Sequence, residues 1–312
     1  MNERNKKMSK SVLVIGGSAF TGRVFSIKAS RSGNFDLHVV NRGQFPLRLE
    51  GVTEYKCDRH SPRMIARLVP EIKYDALIDF CAYKPGEIKS VIDALKDRIS
   101  QYIFFSTASV YEPAGAHRIT ESGRTISAVG RSGPVDEYVL NKLALEKELI
   151  EACEAAGIKY TIFRPTFIFG PFNYVPRESF FIELIARKHV VPIPSDATSH
   201  FCFVYVMDIA EILMKSIGNK KTFDQVFNLS GKENTTYAQL ISDFERYNGG
   251  PFESRVVTVK EALDESIPLP FPLTETILYN GEKIENALDF EYTPFAEGME
   301  NTFRIFYSLF TT

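Results

Sequence analysis

"SVLVIGGSAFTGRVF", Ser11 to Phe25, is the stretch whose reading decides the fold. Val12–Ile15 is a short apolar run of the kind that forms a buried strand. Gly16, Gly17 and Gly22 then surround a turn, and a helical pattern over Thr21–Ser30 follows. A strand, a glycine-rich turn and a helix leave backbone N–H groups free at the helix N-terminus, where a pyrophosphate binds. One member of the usual spacing is missing, because Ala19 stands where the middle glycine falls. A single methyl is tolerated there if the backbone of Ala19 stays in an ordinary region. The expected dinucleotide contacts are therefore Gly16, Gly17, Ser18, Ala19, Phe20, Thr21 and Gly22. The competing reading is a plain strand–turn–helix, and only the rest of the chain decides between them.

Working outward, apolar runs alternate with helical patterns. Strands are expected at Val12–Ile15, Leu37–Val40, Glu54–Cys57, Ala76–Phe80, Tyr102–Ser106 and Tyr160–Phe163. Helices are expected at Thr21–Ser30, Ser61–Val69, Pro85–Ala94 and Asp136–Ala156. That alternation implies an α/β chain with a doubly wound, Rossmann-type parallel sheet covered on both faces. After Arg164 the regularity fades, prolines and aromatic residues crowd together, and "QVFNLSG" (Gln225–Gly231) reads as one more buried strand. The division expected is a tail over 1–10 and a dinucleotide domain over 11–165 with a returning segment near 203–231. A smaller substrate-binding portion takes 166–202 and 232–312.

Composition narrows the function classes. Of 312 residues 44% are hydrophobic and 24% charged, ordinary for a globular protein. The formal net charge of −2 gives no basic field to attract nucleic acid or an anionic membrane. Cys57, Cys81, Cys153 and Cys202 are widely spaced with no histidine array, which reads as reduced thiols and no metal site. No apolar run is long enough to span a membrane. A cytoplasmic protein is expected.

The second strand should end beside the adenosine ribose, and "NRG" supplies Asn41 and Arg42 there. An acidic residue at that point repels a 2′-phosphate. Asn41 does not, and Arg42 offers a guanidinium fork suited to one. The expectation is NAD(P) with NADP favoured, against a bland surface arginine beside a turn. Asp58 follows the third strand as either an adenine contact or a helix N-cap. Cys81 and Ala82, in "DFCAY", are small enough for a nicotinamide ribose to approach.

"YVLNK" puts Tyr138 and Lys142 four apart, on one face of the strongest helical pattern in the chain. A free tyrosine titrates near pH 10, roughly three units and about 4 kcal/mol too high for a base at neutral pH. A neighbouring cation and an oxidised nicotinamide ring are the expected means of closing that gap. A second Y-x-x-x-K, "YNGEK" at Tyr279–Lys283, lies in weak helical context and is read as a chance match. Thr107, with Ser106 and Ser109, ends the fifth strand, where it either orients a substrate oxygen or satisfies backbone groups.

These residues resemble the extended short-chain dehydrogenase/reductase superfamily, in its NAD(P)-dependent epimerase/dehydratase branch. "GGSAFTGR", "NRG" and "DFCAY" look most like the subgroup of chloroplast stem-loop-binding proteins and their bacterial relatives. The resemblance implies that Tyr138 is the acid/base and that Thr107 positions substrate. It also implies that Lys142 holds the nicotinamide ribose and lowers the tyrosine pKa, with Arg164 and Pro165 beneath the nicotinamide. It implies a small sugar-like substrate, and a homodimer through long helices. Ala108 and Ser109 stand where sugar dehydratases carry an Asp–Glu pair, which argues for an epimerase or reductase. The arginine that grips the substrate diphosphate in nucleotide-sugar epimerases matches Phe201 here. Either Arg187 or Lys188 takes over, or the substrate has no diphosphate. The subgroup's other implication, a non-catalytic or RNA-binding scaffold, runs against the Thr107–Tyr138–Lys142 set and the near-neutral charge. The phenylalanine-rich "FIFGPFNYVPRESFF" is either core or an apolar substrate wall. The long polar stretch between Tyr111 and Val135 reads as a loop that meets substrate, its His117 solvated.

Overall fold

The computed structural model describes residues 9–127 and 133–312. The expected tail lies outside the described residues up to position 8, and its end is corrected: Lys10 opens the first strand, with its ammonium donated to the carbonyl of Ile217. Residues 128–132 of the polar stretch also lie outside the described residues.

The chain runs β1 (Lys10–Ile15), α1 (Phe20–Ser32), β2 (Phe35–Asn41), β3 (Val52–Lys56), α2 (Pro62–Leu68) and β4 (Ala76–Asp79). It continues with α3 (Glu87–Leu95), β5 (Gln101–Phe105), α4 (Pro134–Ala156) and a strand at Lys159–Pro165. Then come α5 (Glu178–Ala186), α6 (Val206–Ser216) and the strand Gln225–Leu229. A seven-stranded sheet results, in the order Gln225–Leu229, Lys159–Pro165, β5, β4, β1, β2, β3. Every pairing in it is parallel. The strand order reverses between β1 and β4, so a crevice opens at their carboxyl ends, where ligands of such sheets bind.

Alternation along the strands supplies two cores. Leu13, Ile15, Leu77, Tyr102 and Phe104 face one side, against Ile65, Val91, Leu145 and Leu149 of the covering helices. Val12, Val14, Ile78, Ile103 and Phe105 face the other, beneath α1 and α6. That second core continues without a break into the C-terminal aromatic residues, among them Phe181, Phe201, Phe203, Phe271 and Phe303. A small sheet of Asn234–Thr235, Phe201–Tyr205 and Phe167–Phe169 stands on this cluster. Short strands and aromatic packing, rather than repeated βα units, explain why the periodic signal fades after Arg164.

Within the polar stretch, Arg118–Ile119 pairs with Leu278–Tyr279. The second Y-x-x-x-K is structural: Tyr279 is buried, and Lys283 donates to the carbonyl of Val226 at 2.8 Å. Among the described residues no helix is long and apolar enough to cross a membrane.

Candidate active site

A cavity of about 1020 Å³ follows the crevice from the β1–α1 turn to Tyr138. Its floor at the turn is backbone. Gly16 has φ +85°, and a Cβ there would lie 2.9 Å from the Cys81 sulfur. A Cβ on Gly22 would lie 2.6 Å from the Gly16 carbonyl oxygen, so α1 meets the turn only because glycine is there. Ala19 has φ −129° and ψ 148°, ordinary extended backbone, and its methyl costs nothing. The positive φ falls instead on Phe20, at 36°. Gly16, Ser18, Ala19, Phe20, Thr21 and Gly22 all line the cavity. Gly17 does not. It is packed behind the turn, where a Cβ would lie 2.8 Å from a Val14 methyl.

At the β2 end, Arg42 is exposed on the cavity wall with no ion pair or hydrogen bond among the described residues. Asn41 lines the wall, but its side chain is committed to the local loop rather than free to face a ribose. Its amide donates to Glu54 at 2.8 Å and its oxygen accepts from the Gly43 N–H at 2.7 Å. Asp58 also lines the cavity and accepts from the backbone and ring nitrogens of His60 at 2.8 and 2.7 Å. Those bonds hold its carboxyl below the usual range. The N-cap position of α2 belongs to Ser61, which corrects the capping alternative for Asp58.

Beneath the middle lies a network that sequence reasoning missed. Arg59 donates to both carboxylate oxygens of the fully buried Asp79, at 2.9 and 3.0 Å. Tyr102 donates to the same carboxylate at 2.6 Å, and the Cys81 N–H does so at 3.0 Å. The network fixes Cys81 on the cavity floor, where burial pushes its thiol up to about 12. Ala82 is turned into the core and contributes only its carbonyl. The one local cue was the "DRH" directly after β3.

At the far end, α4 brings Tyr138 and Lys142 to the cavity, and Ser106 and Thr107 arrive from the end of β5. Lys142 is 2% exposed; its ammonium donates to the carbonyls of Ala82 and Phe105, each at 2.8 Å. It also lies 4.7 Å from the centroid of the Tyr83 ring. Desolvation brings its pKa down to about 8. Tyr138 stays 39% exposed, yet the crowding walls raise its pKa above the ordinary value. Hydrogen bonding from Thr107 and the charge of Arg177 pull the other way. Lys142 is not among the groups that lower the tyrosine here: its ammonium donates to two carbonyls and lies 5.9 Å from the Tyr138 ring centroid. Ser106 Oγ is buried at the cavity edge without a hydrogen-bond partner among the described residues.

Pro165 lines the cavity, whereas Arg164 points away from it. The Arg164 guanidinium grips Glu146 of α4 at 3.0 and 2.5 Å and donates to the Tyr111 hydroxyl at 2.7 Å. Arg164 thus ties α4 to the segment after Thr107, a structural role set by the i, i+4, i+8 alignment of Tyr138, Lys142 and Glu146. The phenylalanine-rich stretch divides: Phe169 and Phe181 are core, while Phe172, Tyr174 and Arg177 line the cavity. No periodicity marked those three in the sequence, because they sit on an irregular loop. Among the described residues no cluster of His, Cys, Asp or Glu is placed to hold a metal ion.

The family model for the NAD dependent epimerase/dehydratase family matches residues 88–230. The chain is 25% identical over 256 residues to the chloroplast stem-loop binding protein of 41 kDa b from Arabidopsis thaliana, a match over 78% of this chain and 64% of that protein. It is 20% identical over 255 residues to UDP-glucose 4-epimerase from Vibrio cholerae, covering 77% of this chain and 76% of that one. Among solved structures, UDP-glucose 4-epimerase from Thermotoga maritima with UDP-glucose superposes with a TM-score of 0.78 at 18% identity, over 96% of this chain and 99% of that one.

Proposed function

We propose that the chain, similar to the NAD dependent epimerase/dehydratase family over residues 88–230, transfers a hydride between a nicotinamide dinucleotide and a sugar-like alcohol or ketone. The observation that carries this reading is the single cavity that joins the glycine turn to Tyr138, Thr107 and Lys142. The residues fit such a cofactor. Gly16 and Gly22 keep the cradle free of side-chain atoms, and the unpaired hydroxyl of Ser106 awaits a polar neighbour. The turn from Gly16 to Gly22 would hold the pyrophosphate, Asp58 the adenine and Arg42 a 2′-phosphate, so NADP is the favoured form. Cys81 and Pro165 would flank the nicotinamide, whose role when bound is to accept or donate the hydride.

Tyr138 is the acid/base. In the oxidising direction it takes the hydroxyl proton of the substrate; in the reducing direction it returns one to the carbonyl oxygen. Its raised pKa in the free protein keeps it protonated at neutral pH, the state needed for reduction. Thr107, adjoining the same phenol, orients the substrate oxygen. Lys142 holds a proton below about pH 8 and supplies positive charge beside the phenol as it ionises. With Ala108 and Ser109 after Thr107, no second acid/base pair stands ready for elimination.

The test is incubation with NADPH or NADH and a panel of keto-sugars, sugar acids and nucleotide sugars. Consumption of reduced nicotinamide identifies a reductase. Interconversion of isomers with constant nicotinamide absorbance identifies an epimerase. A panel unchanged by both routes contradicts the reading.

A further inference from the structure

The substrate end of the cavity contains a cation that the hydride-transfer chemistry does not use. Arg177 is the residue before α5, on the loop that also brings Phe172 and Tyr174 to the cavity wall. The loop is pinned from behind. Glu178, fully buried, accepts from the Gly170 N–H at 3.1 Å and from the Asn173 amide at 3.0 Å. Asn173 in turn accepts from the Val175 N–H at 3.0 Å. The backbone of Arg177 is thereby fixed, and its guanidinium lies 5.3 Å from the centroid of the Phe167 ring, at the cavity wall.

Apart from Arg42, which is unpaired but lies at the opposite, β2 end, the other arginines and lysines described along the wall are occupied. Arg23 donates to the carbonyls of Ser18, Phe45 and Pro46, Arg59 to Asp79, and Lys142 to two carbonyls. The guanidinium of Arg177 has no ion pair and no hydrogen bond among the described residues. Glu178, next in sequence, is turned toward the loop it pins. Arg177 is half-buried, and the loss of water around its charge lowers its pKa. An unpaired, partly dehydrated guanidinium is stabilised when an anion arrives.

Neither cation proposed from the sequence as a diphosphate grip is at this end. Arg187 is paired with Glu183 at 2.8 Å, and Lys188 lies off the cavity wall. Phe201 is 1% exposed and stacked on Phe271, with ring centroids 4.9 Å apart. One fork, against an aromatic wall, matches one carboxylate or one phosphate monoester. A nucleoside diphosphate brings two phosphates, and among the described residues Arg177 is the one unpaired cation at this end.

We infer that Arg177 binds the substrate's anion, and that the substrate is a small hydroxy or keto compound bearing one carboxylate or phosphate monoester rather than a nucleoside diphosphate. The inference rests on the reading of Tyr138 as the reacting end.

The test is calorimetric titration of the full-length protein, with and without saturating NADP⁺, using glucuronate, glucose 6-phosphate, UDP and inorganic phosphate. Glucuronate or glucose 6-phosphate should bind, and which of them does so assigns the anion. Arg177→Gln should weaken that binding by at least about tenfold, and Arg177→Lys by less, since charge survives without the fork. UDP should bind no more tightly than inorganic phosphate. NADP⁺ affinity should be unchanged in both variants, which also reports that they fold. Tighter binding of UDP than of either single-anion probe overturns the inference. So does indifference of the anion affinity to Arg177→Gln, or failure of both single-anion probes to bind. If no nicotinamide binds while the Arg177-dependent anion response persists, the hydride-transfer reading fails and the anion site stands.

Discussion

The two ends of the cavity are assembled from different materials. At the turn end, Gly16 to Gly22, Arg42 and Asp58 follow three strands that are adjacent in the sheet and close in sequence, and much of the surface is backbone. At the other end, Thr107, Tyr138, Lys142 and Arg177 come from the end of β5, from α4 and from an irregular loop. On the proposed reading the first end would recognise largely by shape and by backbone N–H groups, which depend little on neighbours. The second would work through titratable side chains whose behaviour is set by what the fold packs around them. Lys142 falls to about 8 and Tyr138 rises, both chiefly through desolvation.

Substitutions at the two ends should separate accordingly. Tyr138→Phe removes only a hydroxyl, and turnover should fall by about a thousandfold with cofactor affinity within about threefold of the parent. Steady-state kinetics and nicotinamide titration check both halves. Loss of both together would break the distinction between the ends.

Lys142→Met should lower kcat by roughly a hundredfold and move the acid limb of the pH–rate profile upward, since positive charge beside the ionising phenol is gone. It carries a stability signature of known sign. The folded pKa of about 8 lies below the ordinary 10.5, so between those values the unfolded chain holds the extra proton and stability rises with pH. Urea unfolding at several pH values across that window should show the rise in the parent and not in Lys142→Met.

Arg42→Ala should weaken NADPH by about tenfold or more and leave NADH nearly unchanged, as expected for loss of one charge-assisted phosphate contact. Fluorescence titration with each reduced cofactor reads it. The smallest effect belongs to the chance motif. Lys283→Gln loses a bond to the Val226 carbonyl, off the cavity wall, and turnover should stay within about twofold.

The same contrast explains what was legible in the sequence. The strand–turn–helix at Ser11–Phe25, the alternation of strands with helices and the Tyr138–Lys142 spacing are local patterns, and local patterns are what periodicity detects. Ala19 was legible as well, because extended backbone accepts a methyl. Gly17, Ala82 and Arg164 lie off the cavity wall for one reason: their chain positions are right, but which way each residue faces is decided by tertiary packing. Arg164 turns to Glu146, and Gly17 packs against Val14. Arg59 was missed because its partner Asp79 is distant along the chain, and Arg177 because it sits on an irregular loop. Phe201 was noticed as a departure, and the aromatic cluster that absorbs it became visible only in three dimensions.

The most direct test of the central claim, that one cavity holds a nicotinamide dinucleotide against Tyr138, is titration of the purified protein with NADPH and NADH followed by nicotinamide fluorescence. The chain contains no tryptophan, so the background is low. The account predicts saturable binding of one cofactor per chain, tighter for NADPH, with nicotinamide emission altered in Tyr138→Phe. Absence of binding by both cofactors up to millimolar concentration would contradict it.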